Sequence, residues 1–219
     1  MLLPQERIPW ILRFPVFHRD VLFRLDDGKP SVYLTFDDGP IPESTPWILS
    51  ALARYDAKAT FFMVADNARR YPHLHKAVVE AGHAVGNHTF HHVPPFRQSV
   101  EQLLADLELA DSFLNSRLFR PPHGLILPSQ QRAVIDAGYR IVMFDLNTLD
   151  YRADRNAQQI IESVARNVRP GCIINLHDSL KSIGKLKTAL PAILDLLRER
   201  GLAMECLPQE TLNTQKIMI

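Results

Sequence analysis

The sequence predicts an α/β protein built on a parallel sheet wound by helices, open or closed into a barrel. Three observations carry this reading. Roughly seven short apolar, β-rich runs alternate with amphipathic helical stretches along the chain. A chain of 219 residues suits one domain with a substantial buried core. The residues with chemical potential fall at or just past the C-terminal ends of the β-rich runs, and in a parallel sheet or barrel those ends share one face.

The elements follow in order. Residues 1–30 carry Pro4, Pro9, Pro15 and Pro30 among Trp10, Phe14, Phe17 and Phe23. They read as an irregular flap packed on a main domain spanning 31–219. Within the flap, Asp26-Asp27-Gly28-Lys29 has the composition of a hairpin turn between Val21–Arg24 and Ser31–Phe36. A strand over 31–36 leads to a helix over 43–55, with Ser44 and Thr45 available to cap it. A β-rich run over 59–64 precedes a helix over 67–81 that ends at Gly82, and residues 84–86 form a short strand. The helix over 100–114 places Val100, Leu103, Leu104, Leu107 and Leu114 on one face. Leu118-Phe119 is a minimal strand, 128–137 a helix closed by Gly138, 140–144 a strand and 157–168 a helix. The apolar strand 171–176 is followed by a helix striped with Leu186, Leu190, Ile193, Leu194 and Leu197 despite Pro191, and 202–206 is the last strand.

Composition narrows the function classes. A formal net charge of +1 gives no electrostatic case for nucleic acid or an acidic membrane surface. Cys172 lies in an apolar strand and Cys206 beside a different element, which reads as free thiols without a disulfide framework. No run of ~18 apolar residues predicts a transmembrane segment. The N-terminus shows no signal-length apolar core, so the expectation is cytoplasmic, or extracytoplasmic if a leader has been trimmed. Nothing in the sequence speaks to oligomeric state.

The polar residues at the strand ends are the informative ones. Val32-Tyr33-Leu34-Thr35-Phe36 ends in the adjacent carboxylates Asp37 and Asp38, followed by Gly39-Pro40. Neighbouring strand residues point to opposite faces, but at a strand end the turning backbone can aim both into one site. His88 and His92 are four apart and share a side if their segment is helical. Two imidazoles and a carboxylate such as Asp38, with an open fourth position, make a catalytic zinc arrangement. Taken alone, the pair also fits a solvated histidine cluster. His91 faces elsewhere, and His18, His73, His75 and His83 read as surface residues. His177 is delivered by a buried strand and suits acid/base work, or is satisfied by Asp178. Arg120, fixed before Pro121 and Pro122, suits a charge partner that keeps a carboxylate ionised, or a surface loop. Asp150 alone reads first as a turn or cap residue.

Taken together, Thr35-Phe36-Asp37-Asp38-Gly39-Pro40, His88-Thr89-x-x-His92, Arg120-Pro121-Pro122, Asp150-Tyr151 and Leu176-His177-Asp178 resemble the five ordered motifs of the NodB-homology polysaccharide deacetylases, carbohydrate esterase family 4. The resemblance covers about residues 31–206. It implies a deformed (β/α)7-type barrel and one divalent metal held by Asp38, His88 and His92, zinc foremost, with cobalt, nickel or manganese as alternatives. It implies a hydrolase that removes N-acetyl groups from an N-acetylated sugar, oligosaccharide or polysaccharide. Asp37 becomes the base that activates the attacking water, and His177 the acid for the departing amine. Arg120 keeps Asp37 ionised, and Asp150 favours protonated His177. The N–H after Pro122, that of His123, helps hold the oxyanion, and His123, Tyr151 and Pro122 meet the substrate. Many members have tyrosine at His123, tryptophan at Tyr151 and aspartate at Asn147, departures that bear on the substrate. The same machinery could instead act on an O-acetyl ester or small amide, which a substrate panel separates. A non-catalytic glycan-binding protein would bind glycan without hydrolysis.

Overall fold

The computed structural model describes residues 21–25 and 27–209. Nine strands form one sheet: β1 (Val21–Leu22), β2 (Ser31–Asp38), β3 (Ala59–Met63), β4 (Ala84–Asn87), β5 (Leu118–Phe119), β6 (Arg140–Val142), β7 (Leu146–Asn147), β8 (Ile173–His177) and β9 (Ala203–Met204). The order is β1-β6-β5-β4-β3-β2-β8-β7, with β9 added beside β2, and every strand pair is parallel. Among the described residues seven α-helices connect them: α1 (Thr45–Ala53), α2 (Ala65–Arg70), α3 (Pro72–Glu80), α4 (Val100–Leu114), α5 (Pro128–Asp136), α6 (Ala157–Asn167) and α7 (Leu180–Glu199). No described helix is long and apolar enough to cross a membrane.

Chain connectivity forces the sheet to curl. Six strand intervals separate β6 from β7, about 29 Å if the sheet were flat. The chain from Val142 to Leu146 can span only ~14 Å. The two sides of the sheet are therefore drawn together into a deformed barrel, and residues 143–145 bridge the gap. This explains why the strand expected over 140–144 stops at Val142. At the lower end, the Leu25 N–H donates to the Gly171 carbonyl at 3.0 Å and Arg24 bridges Cys172. The hairpin expected around Asp27-Gly28 is accordingly absent: β1 pairs with β6 in parallel, not with β2. The rest of the expected flap, with Trp10, Phe14, Phe17 and His18, lies outside the described residues.

Period-two alternation sorts the core. Val32, Leu34 and Phe36 of β2 join Phe61, Met63, Ile174 and Leu176 beneath the helices, where Ile48, Leu52, Ile160, Val164, Leu190 and Ile193 cover them. Tyr33, one residue out of phase, faces the barrel interior with Phe62, Leu118, Val142 and Ile173. The interior is thus apolar at its base and, following β2 upward through Thr35 to Asp37, polar at its mouth.

Other local departures have plain causes. The helix expected over 67–81 is interrupted at Tyr71 (φ −125°, ψ 58°), because Pro72 disfavours helical geometry in the residue before it and opens α3 as its first residue. Ser44 and Thr45 do not cap α1 with their side chains; both hydroxyls donate to Asp178. His83, expected at the surface, is buried and accepts the Ala59 N–H at 3.2 Å. Burial, with Lys58 adding to it, pushes its imidazole down to about 4, so it is a neutral acceptor. Both cysteines are free, Cys172 buried and Cys206 half-buried.

Candidate active site

The floor of the mouth is a buried arginine. Arg120 leaves β5 and enters the barrel, where its side chain is fully buried. Its Nη1 donates to Asp37 Oδ1 and Thr35 Oγ1, both at 2.7 Å, and to Asn175 Oδ1 at 3.0 Å. Nε and Nη2 donate to the carbonyls of Val142 (3.1 Å) and Met143 (2.8 Å). The guanidinium also lies over the Phe62 ring, 4.1 Å from its centroid. Gly86 makes room for that ring: a Cβ there would sit 2.3 Å from Phe62 Cδ1. Burial alone would raise the Asp37 carboxyl, but Arg120, with His88 and His177, outweighs it and holds Asp37 below the ordinary carboxylate range.

Asp38 is aimed by its backbone. Its φ of 81° turns the backbone at the last residue of β2, so its side chain does not follow the strand's alternation. His88 and His92 meet it, although their segment is not helical as the four-residue spacing suggested. Thr89 and His92 adopt left-handed φ values of 65° and 55° in a loop held by side chains. Asn87 Oδ1 accepts the Thr89 N–H, Thr89 Oγ1 accepts the His92 N–H, and Asp106 Oδ2 accepts the N–H groups of Phe90 and His91. His91 turns away and pairs with Asp106. His88 Nδ1 lies 2.7 Å from the Arg120 carbonyl, which can only accept. In the neutral ring the proton is therefore on Nδ1, which leaves Nε2 to present a lone pair.

Asp38 Oδ1 is 3.5 Å from His92 Nε2 and 3.9 Å from His88 Nε2. One donor atom from each residue falls within 4.8 Å of the others. Four-coordinate bonds of ~2.1 Å place ligand atoms ~3.4 Å apart, so the set fits one divalent cation. Burial, with the neighbouring His88 and His123, pushes His92 down to about 3. A neutral His92 makes these contacts converging donors rather than ion pairs.

Across the mouth, His177 ends β8 in register with Asp37. Its Nδ1 is 2.7 Å from Asp150 Oδ1, and its backbone N–H donates to Asp150 Oδ2 at 2.9 Å. Burial lowers the imidazole, but Asp150 in contact, with Asp37 and Asp38 beyond, reverses this and pushes it up to about 9. Asp178 takes no part in this pair. It points outward to Ser44 and Thr45, and a Cβ on Gly39 would strike its carboxylate at 2.0 Å. Close approach therefore accounts for the glycine after Asp37-Asp38. Burial, partly offset by these hydroxyls, pushes Asp178 up to about 6.

These groups line a cleft of about 190 Å³. Asp37, Asp38, His88, His92 and His177 all reach it, with His123 and Tyr151 as walls; Tyr151 packs edge-on against His177, ring centroids 4.8 Å apart. Arg120 and Asp150 lie beneath, each holding a residue that reaches the cleft. Pro122 is buried and does not line it, because the turn at 122–124 presents His123 (φ 60°) instead. The turn closes through the N–H groups of Gly124 and Leu125, and neither bond uses the His123 N–H. Phe144, Asn147, Asn175 and Lys181 complete the lining. Asn175, an amide inside an apolar strand, carried a readable signal; Lys181 did not.

Fold and site together define a parallel α/β barrel enzyme whose cleft sets a paired carboxylate and a paired imidazole beside three donor groups that could hold a cation. The family model for polysaccharide deacetylases matches residues 24–142. The chain is 34% identical over 188 residues to a peptidoglycan-N-acetylglucosamine deacetylase of Bacillus cereus, covering 83% of this chain and 88% of that one. It is 32% identical over 203 residues to a chitooligosaccharide deacetylase of Azorhizobium caulinodans, covering 84% and 96%. A crystal structure of a peptidoglycan N-acetylglucosamine deacetylase, in complex with 4-naphthalen-1-yl-N-oxidanyl-benzamide, matches with a TM-score of 0.80. The two are 29% identical, with 90% of this chain and 92% of that one covered. The chain belongs to the polysaccharide deacetylase family.

Proposed function

We propose that this chain removes the N-acetyl group from an N-acetylated oligosaccharide or polysaccharide, using Asp37 as base and His177 as acid. The observation that carries the reading is the opposite polarisation of two facing groups: Arg120 holds Asp37 ionised, and Asp150 holds His177 protonated. Both are in their working state at neutral pH. Asp38, His88 and His92 would hold a divalent cation, zinc first among those such donors accept. A cation there supplies Lewis acidity toward water and a carbonyl oxygen.

The protein's own groups do the remaining work. Asp37 engages Arg120 through Oδ1 and keeps Oδ2 to take a proton from the attacking water. As the water oxygen adds to the acetamide carbon, negative charge grows on the carbonyl oxygen, where the His123 N–H donates. His177 Nε2 then protonates the amine nitrogen as the C–N bond breaks, leaving acetate and the free amine. Asp150 supports this step by fixing the ring through Nδ1.

Acetate release from N-acetylglucosamine oligomers and peptidoglycan fragments by zinc-loaded protein tests the reading, with bound metal measured in the same samples. Asp37→Asn is expected to abolish release while metal stays bound, since Asp37 is not a ligand. Release retained by this variant would sink the base assignment.

A further inference from the structure

We propose that Lys181 makes this site selective for glycans carrying a carboxylate close to the reacting acetamide, in preference to neutral N-acetylglucosamine oligomers. The inference rests on the deacetylase reading and specifies its substrate class.

It starts from the charges around the cleft. Asp37 is matched by Arg120 and Asp150 by His177, each at 2.7 Å. Asp38 belongs to the donor set for the cation. Asp178, close by in sequence, is buried and turned toward Ser44 and Thr45. Each carboxylate at the mouth therefore has its own partner. Lys181 does not: it lines the cleft from the first turn of α7, and among the described residues it makes no ion pair. It lines the same space as His123 and Asp38. Asn147, which also lines the cleft, is neutral.

The mouth thus presents uncompensated positive charge where a substrate's flanking substituents would pass. A Lys ammonium on a flexible stem is a mobile point charge that can follow a carboxylate on a neighbouring sugar. A neutral oligomer gains nothing from it and must still share the cleft with a hydrated ammonium.

The test compares three substrates of equal length on the metal-loaded protein. One is a neutral N-acetylglucosamine tetramer, one carries 3-O-lactyl carboxylates on alternate residues, and one is oxidised to carboxylates at C6. The wild type should show kcat/KM about two- to fivefold higher for a carboxylated strand than for the neutral one. The ratio should fall toward one in Lys181→Met, invert in Lys181→Glu, and shrink as salt rises from about 0.05 to 0.5 M. Equal kcat/KM for all three in the wild type, or a preference that survives both variants, overturns the proposal. Release from none of them would instead be a failure of the deacetylase reading. Lys181 is then judged by calorimetric binding to Asp37→Asn protein, which needs no turnover. Tighter binding of a carboxylated strand, lost on adding Lys181→Met, supports the proposal, and equal binding overturns it.

Discussion

Replacing Arg120 with methionine isolates what the buried arginine does. Methionine keeps much of the apolar stem and its contact with Phe62 but removes all five donated hydrogen bonds. Asp37, 4% exposed, would be left as a buried carboxylate without its counter-ion, a situation that costs about 3–5 kcal/mol. The carbonyls of Val142 and Met143 lose their donor as well, at about 1–3 kcal/mol each where water does not replace it. The costs are not additive, and about 4–6 kcal/mol in total is expected. That is a large part of the ~5–15 kcal/mol that holds a domain together. Removing the carboxylate too, in Asp37→Asn/Arg120→Met, takes away the unpaired charge. The double-mutant cycle should then show a coupling of about 3 kcal/mol. Urea unfolding of the four proteins, followed by far-ultraviolet circular dichroism and tryptophan fluorescence, gives both quantities. A loss below about 1.5 kcal/mol for Arg120→Met, or a coupling below about 0.5 kcal/mol, would refute the claim that this pair is the electrostatic centre of the mouth. The same variant should lose turnover at neutral pH, because burial is then opposed only by His88 and His177 and raises the Asp37 carboxyl.

The remaining predictions concern the other side of the mouth and its supports. His177 is raised from an ordinary 6.5 to about 9. In chelator-treated protein it should therefore contribute about 3 kcal/mol that is fully present below pH ~6.5 and lost as pH rises through about 9. Urea midpoints across that window should fall in the wild type and flatten in Asp150→Asn; parallel curves would contradict the pairing. Asp106→Ala removes the acceptor for the Phe90 and His91 N–H groups and should weaken zinc binding by about tenfold or more. Competition with a chromophoric chelator reads this directly, and unchanged affinity would show that the loop holds itself. Gly86→Ala places a Cβ against the Phe62 ring and should cost about 1–3 kcal/mol in thermal or urea unfolding; a neutral result would mean that the ring can move without disturbing Arg120.

The sequence made the alternation of elements visible because burial imposes a period on each of them, and periods are local. It was silent where one side chain reaches another element. Asp106 reads as an unremarkable polar position on α4, yet it pins the loop that carries His88 and His92. Asp178 beside His177 invites a pairing that strand alternation forbids: one faces the mouth and the other α1. The Asp27-Gly28 pair announces a turn but not the partner of the strand before it, and β1 joins β6 at the far side of the sheet. The four-residue spacing of His88 and His92 pointed to two residues that do converge, but through a different geometry, since two left-handed backbone positions bring them together rather than a helical turn.

The adjacent carboxylates show how far the legible part of the candidate site reached. A strand sends neighbours to opposite faces, so Asp37 inherits the inward phase of Tyr33 and Thr35 and meets the arginine rising from β5. Asp38 should then point toward the helices, where an unpaired carboxylate would be costly. The positive φ at Asp38 removes that cost by turning it back to the mouth. There His88 and His92 converge on it, with His88 fixed through the carbonyl of the same Arg120. One arginine therefore sets both halves of the centre, Asp37 through its side chain and a metal-type ligand through its backbone. A substitution at 120 that preserves the backbone should separate the two functions, abolishing base chemistry while leaving cation binding near the wild-type level. Zinc affinity of folded Arg120→Lys protein is the measurement that would expose any dependence of the ligand set on the guanidinium itself.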